Sequence, residues 1–156
     1  MTASSISFGL EHKVVVVTGA GRGIGKAIAR VCAEYGADLA LGSRTLSEIE
    51  AVAEECRSLG RRAQAWTLDV ADVSSIRRFV DATLDAYGRI DVLVSNAGYN
   101  LIKPAVEYTE AEFDAIAAIN FKGAFFIATI TAQSMIEREV QGRIITITSQ
   151  AGVVCA

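Results

Sequence analysis

The chain carries one proline, one histidine and one tryptophan, and aromatic residues make up only 7% of it. A lone histidine with no paired Cys/His spacing excludes a zinc site of the usual kind, so no metal is expected. The three cysteines, Cys32, Cys56 and Cys155, are odd in number and irregularly spaced. They build no disulfide framework and read as reduced thiols, which places the protein in the cytoplasm. Charge of one sign is also missing. A net charge of −3 with interspersed signs offers no basic stripe for nucleic acid and no polybasic patch for a membrane surface. Residues 1–12 lack the basic-then-apolar layout of a signal peptide and read as a loose leader. The most lipophilic stretch, Ile116 to Ile136, is long enough to span a bilayer. It is interrupted by Asn120, Lys122, Thr129, Thr131 and Gln133, which predicts a buried helix of a soluble protein.

What is present is an alternation. Just over half of the 156 residues are hydrophobic, enough for one domain (1–156) burying roughly 70% of its unfolded surface. Strand-like apolar runs fall near 13–18, 38–43, 63–68, 91–95 and 143–149, and helix-like stretches lie near 24–35, 46–59, 73–87 and 110–139. Thr45 with Glu48 and Thr109 with Glu112 have the spacing of capping boxes, and Gly36, Gly60 and Gly88 sit just past three helix ends. Solid apolar strands such as Val14–Val17 suit a parallel sheet covered on both faces. The fold class is therefore α/β, a doubly wound parallel sheet with helices on both faces and ligand at the carboxyl ends of the strands.

Four valines lead into Thr18-Gly19-Ala20-Gly21-Arg22-Gly23-Ile24-Gly25, and a helix-forming stretch follows. Strand, glycine turn and helix N-terminus together form a phosphate cradle: the backbone turns sharply, and the first N–H groups of the helix face the anion. The three-residue gap between Gly19 and Gly23 departs from the plain G-x-G-x-x-G fingerprint. It resembles the T-G-x-x-x-G-x-G turn of the short-chain dehydrogenase/reductase family. Asp69-Val70, Asn96-Ala97-Gly98, Asn120 and Ser149 follow in that family's order, so the resemblance runs from about residue 13 to the end of the chain. Within the family it is similar to 3-oxoacyl-ACP reductase-like members. It implies a Rossmann sheet of order 3-2-1-4-5 and hydride transfer between NAD(P)(H) and an alcohol or carbonyl substrate.

Gly19, Gly23, Ile24 and Gly25 are expected to meet the pyrophosphate. Asp69 and the Val70 N–H are placed for adenine, although position alone leaves Asp69 equally readable as a helix-entry carboxylate. Asn96, Ala97 and Gly98 pass the adenosine ribose, and Asn96 is expected to tie neighbouring loops together. Ser95 stands where the family usually has Asn. Cofactor choice follows from charge. An acid about 20 residues after the glycine turn would accept from the ribose hydroxyls and disfavour a 2′-phosphate. Ser43 holds that place, Arg44 follows, and Arg22 lies inside the turn. Either arginine alone reads as readily as a solvated side chain. Both beside one pocket favour NADP(H) over NAD(H).

By resemblance, catalysis uses Asn, Ser, Tyr and Lys, and Asn120 and Ser149 match the first two. The Tyr-x-x-x-Lys pair belongs after Ser149, where only seven residues follow, so it is expected beyond residue 156, with the carboxyl-terminal part of the fold. Tyr99 and Lys103 have the same spacing but precede Pro104, which disfavours helix, and read as coincidence. Tyr99 fits the substrate entrance better. His12 reads as a leader residue, Trp66 as core, and Cys155 as an unactivated thiol. A small alcohol or carbonyl substrate and a homo-oligomer built through the 110–139 helix are the expected partners. The competing reading is a truncated, non-catalytic nucleotide-binding or regulatory module. An uncovered edge strand at 143–149 argues against it.

Overall fold

A computed structural model describes residues 9–149. Its centre is β1 (Val14–Thr18), every residue of which is buried. β2 (Asp38–Ser43) and β4 (Val92–Ser95) flank it, with β3 (Ala63–Thr67) and β5 (Arg143–Thr146) outside them. All pairings are parallel and the order is β3-β2-β1-β4-β5, as the family resemblance implies. The valine run shows why these strands carry no polar alternation. Val15 and Val17 join Leu39, Leu41 and Val94 on the face covered by α1 (Gly23–Glu34) and α2 (Leu46–Ser58). Val16 joins Ala40 and Leu93 on the opposite face. There α3 (Val73–Tyr87) packs against α5 (Ala124–Glu137). Each fully buried valine contributes about 1.5–3 kcal/mol relative to exposure.

Local signals place the elements. Gly36, Gly60 and Gly88 take φ of 96°, 79° and 77° at three helix ends. Asp72 caps α3 by accepting from the Ser74 N–H at 2.8 Å. The Thr109–Glu112 box forms at the start of α4 (Glu110–Ala117). The Thr45–Glu48 box does not: Thr45 is the N-cap of α2 but its side chain makes no capping bond. The reason is Ser43, whose hydroxyl accepts the Thr45 N–H at 3.3 Å and displaces Glu48 from that role.

Two more expectations are corrected. The leader is not loose throughout, since the Leu10 N–H donates to the Tyr35 carbonyl at 2.6 Å and its side chain packs on the α1 face of the core. β5 stops at Thr146 rather than 149. Its neighbour β4 ends at Ser95, and after the Ile147 N–H bonds Ser95 at 3.0 Å the partner chain has turned away toward Thr18.

α4 runs through a π-helical segment, Ala118–Gly123, into α5. The resulting helix, Glu110–Glu137, is by length and composition long and apolar enough to cross a membrane. Against the expectation of burial, it packs along one side only. Ile127, Thr131, Ser134 and Met135 are buried, while Phe121, Phe125 and Ile136 are 78%, 58% and 77% exposed. Gly123 lies where the helix crosses the end of the sheet, so close that a Cβ there would stand 2.7 Å from the Val70 carbonyl oxygen.

Candidate functional site

At the carboxyl ends of β1, β2, β3 and β4 the chain leaves the sheet in four loops that line a cleft of about 680 Å³. The twelve residues expected to touch a cofactor, from Gly19 to Gly98, all line it. Thr18 holds two of the walls together. Its hydroxyl accepts the N–H groups of Asn96 and Ala97 at 3.0 and 2.9 Å, and the Asn96 side-chain amide donates to the Thr18 carbonyl at 2.9 Å and the Gly19 carbonyl at 3.3 Å. The loop-tying expected of Asn96 is thus a set of bonds across the β1–β4 junction.

The glycine turn can be nothing bulkier. Gly19 has φ of 66°, and a Cβ on Gly25 would stand 2.3 Å from the Gly19 carbonyl oxygen. Arg22 is the N-cap of α1 and offers no side-chain hydrogen bond to the helix's first turn. The first N–H groups of α1 are therefore left to a ligand, which suits a pyrophosphate. Arg22 and Arg44 are exposed and, among the described residues, neither forms an ion pair. Both guanidinium groups line the cleft and are free to pair with an anion there.

Asp69 has a mixed role. One carboxylate oxygen accepts the Ala71 N–H at 3.0 Å, but helix capping belongs to Asp72, and Asp69 faces the cleft. Asn120, in the π-helical segment, does not line the cleft but clamps its rim. Its Oδ1 accepts the Tyr99 N–H at 2.8 Å and its Nδ2 donates to the Tyr99 carbonyl at 2.7 Å. Ser149 lies three residues past β5 and is exposed. Tyr99 and Lys103 share no helix face, because their segment is not helical and Lys103 pairs with Glu112. Trp66 packs edge-on against Phe79 and Tyr87, as a core residue does. Cys155 lies outside the described residues.

Sequence reasoning missed five members of the cleft wall: Gly21, Thr45, Glu48, Leu68 and Ile119. Ile119 carries no periodic signal because it belongs to the π-helical stretch. Glu48 was hidden by its spacing from Thr45, which mimics a cap.

Comparison with known proteins follows the same lines. A family model described as short chain dehydrogenase matches residues 13–156. The chain is 40% identical over 143 residues to a sorbitol dehydrogenase of Cereibacter sphaeroides, covering 92% of this chain and 55% of that protein. It is 33% identical over 144 residues to the 3-oxoacyl-[acyl-carrier-protein] reductase FabG of Thermotoga maritima, covering 92% of this chain and 58% of that one. A metagenomic short-chain oxidoreductase solved in complex with NADP superposes with a TM-score of 0.88 at 38% identity, over 94% of this chain and 66% of that one. The chain thus spans little more than half the length of these two curated relatives.

Proposed function

The chain belongs to the short-chain dehydrogenase/reductase family, and from that premise we propose that the whole protein is an NADP(H)-dependent oxidoreductase acting on an alcohol or carbonyl substrate. When bound, the nicotinamide ring supplies the redox chemistry. The residues of this chain do the holding. The α1 N-terminus and the Gly19–Gly25 turn take the pyrophosphate, Asp69 and Val70 take the adenine, and the Asn96–Gly98 segment passes the ribose. Asn120 fixes the rim through Tyr99, and Ser149 is assigned to the substrate oxygen. The Tyr and Lys that move the proton are assigned to sequence beyond Ala156. The exposed apolar side of the 110–137 helix, with Phe121, Phe125 and Ile136, is assigned to a homo-oligomer contact, and the compartment to the cytoplasm.

The observation that carries the NADP preference is the pair Arg22 and Arg44, both in the cleft wall and both without a carboxylate partner among the described residues. Charge-assisted hydrogen bonds of this kind are worth about 1.5–3 kcal/mol each. In the full-length protein, Ser43→Asp combined with Arg44→Ala should lower the ratio of NADP to NAD affinity at least about tenfold, measured by titration calorimetry. An unchanged ratio overturns the assignment.

A further inference from the structure

We propose that Glu48 is a specificity-determining carboxylate: it offsets part of the positive charge at the Arg22–Arg44 corner of the cleft and thereby sets how strongly a 2′-phosphorylated adenosine is preferred over one with a free 2′-hydroxyl. The proposal takes the position of the adenosine ribose from the cofactor reading above.

Glu48 stands on the first turn of α2 and lines the same cleft as both arginines. Its carboxylate reaches over the glycine turn. A Cβ built on Gly21 would lie 2.8 Å from Glu48 Oε2 and 3.5 Å from Ser43 Oγ. The carboxylate, the Ser43 hydroxyl and the turn backbone therefore converge on one spot. No capping bond holds the carboxylate there, although a charge on the first turn suits the helix dipole. The Thr45 N–H that a capping box would give it goes to Ser43 Oγ instead. Neither the Glu48 carboxylate nor either guanidinium group enters a hydrogen bond or ion pair among the described residues.

Two guanidinium groups and one carboxylate leave a net single positive charge facing the ligand. A 2′-phosphate gains from the cations but is repelled by Glu48. A 2′-hydroxyl meets an acceptor in the same carboxylate and forfeits little from the arginines. Removal of the charge at Glu48 therefore favours the 2′-phosphate without favouring the 2′-hydroxyl, a split that a merely packing side chain would not produce.

The experiment titrates adenosine 2′,5′-bisphosphate and adenosine 5′-monophosphate into the full-length protein by calorimetry, for wild type and Glu48→Gln. The bisphosphate should bind about three- to tenfold more tightly to the variant, as expected for one partly solvated unit charge. The monophosphate should bind equally or less tightly. The gain should shrink in high salt, and the melting temperature should fall by no more than a few degrees, since a first-turn charge but no cap is lost. Bisphosphate affinity within twofold of wild type, or an equal gain for both ligands, overturns the proposal. The outcomes also separate it from the cofactor reading. If wild type fails to prefer the bisphosphate but Glu48→Gln does, the NADP preference falls and the role of Glu48 stands. If Ser43→Asp with Arg44→Ala behaves as predicted while Glu48→Gln changes nothing, the reverse holds.

Discussion

Single residues decide whether the cleft can close around an anion. At Gly25 there is no room for even a methyl group, because the obstacle at 2.3 Å is backbone, the Gly19 carbonyl oxygen, and the Asn96 amide nitrogen stands at 2.6 Å. Gly25→Ala must push the turn off Asn96. It should destabilise the full-length protein by about 1–3 kcal/mol in urea unfolding and weaken cofactor binding at least about tenfold. Unaltered binding would show that the turn does not contact the ligand. At this scale the sequence was informative where a residue type is forced by sterics, as at Gly19 and Gly25. It was misleading at Glu48. The same three-residue spacing serves a cap or a cleft wall, and only the position of the Ser43 hydroxyl chooses between them. It was silent about Thr18, whose hydroxyl has two donors that are neighbours in space alone.

At the scale of elements, periodicity located the five strands and the α-helices among the described residues but not the 3-10 turn at Ala105–Glu107, because a sheet covered on both faces needs unbroken apolar runs and its helices need caps. The ends were less legible. β5 is shorter than its apolar run because pairing depends on where β4 turns, a fact of tertiary structure. The π-helical segment leaves no mark in composition either. It places Asn120 opposite Tyr99 and brings Gly123 against Val70. The loop before α4 is set by charge. Glu112 accepts from the Lys103 ammonium, the Thr109 N–H and the Thr109 hydroxyl, which hold its carboxyl down at about 2. The ionised form and its contacts are then complete above the ordinary glutamate value of about 4.3 and are lost only as pH falls through about 2. Carbon-13 NMR of the Glu112 carboxyl should show that low midpoint, and Lys103→Ala should raise it. A midpoint near 4 in the wild type would mean that Lys103 does not hold this helix start.

For the whole molecule, surface is the governing quantity. β5 pairs on one side only among the described residues, leaving Ile144, Ile145 and Ile147 38%, 49% and 37% exposed. Unpaired apolar edges of this kind recruit other chains. Residues 1–156 expressed alone should therefore elute as aggregates in gel filtration and reduce no carbonyl compound. A monodisperse, cooperatively melting product would instead favour a nucleotide-binding module without catalysis. The parallel order also has a consequence in time. The central strand is made early, yet one of its neighbours, β4, comes only after two other strands and three helices have been synthesised. The Thr18 hydroxyl waits for partners 78 and 79 positions later. At roughly 5–20 residues per second on the ribosome, that interval is on the order of 4–16 s. Through it the glycine turn exists as sequence without its opposing wall, so the nascent chain acquires a grip on nucleotide only when β4 docks.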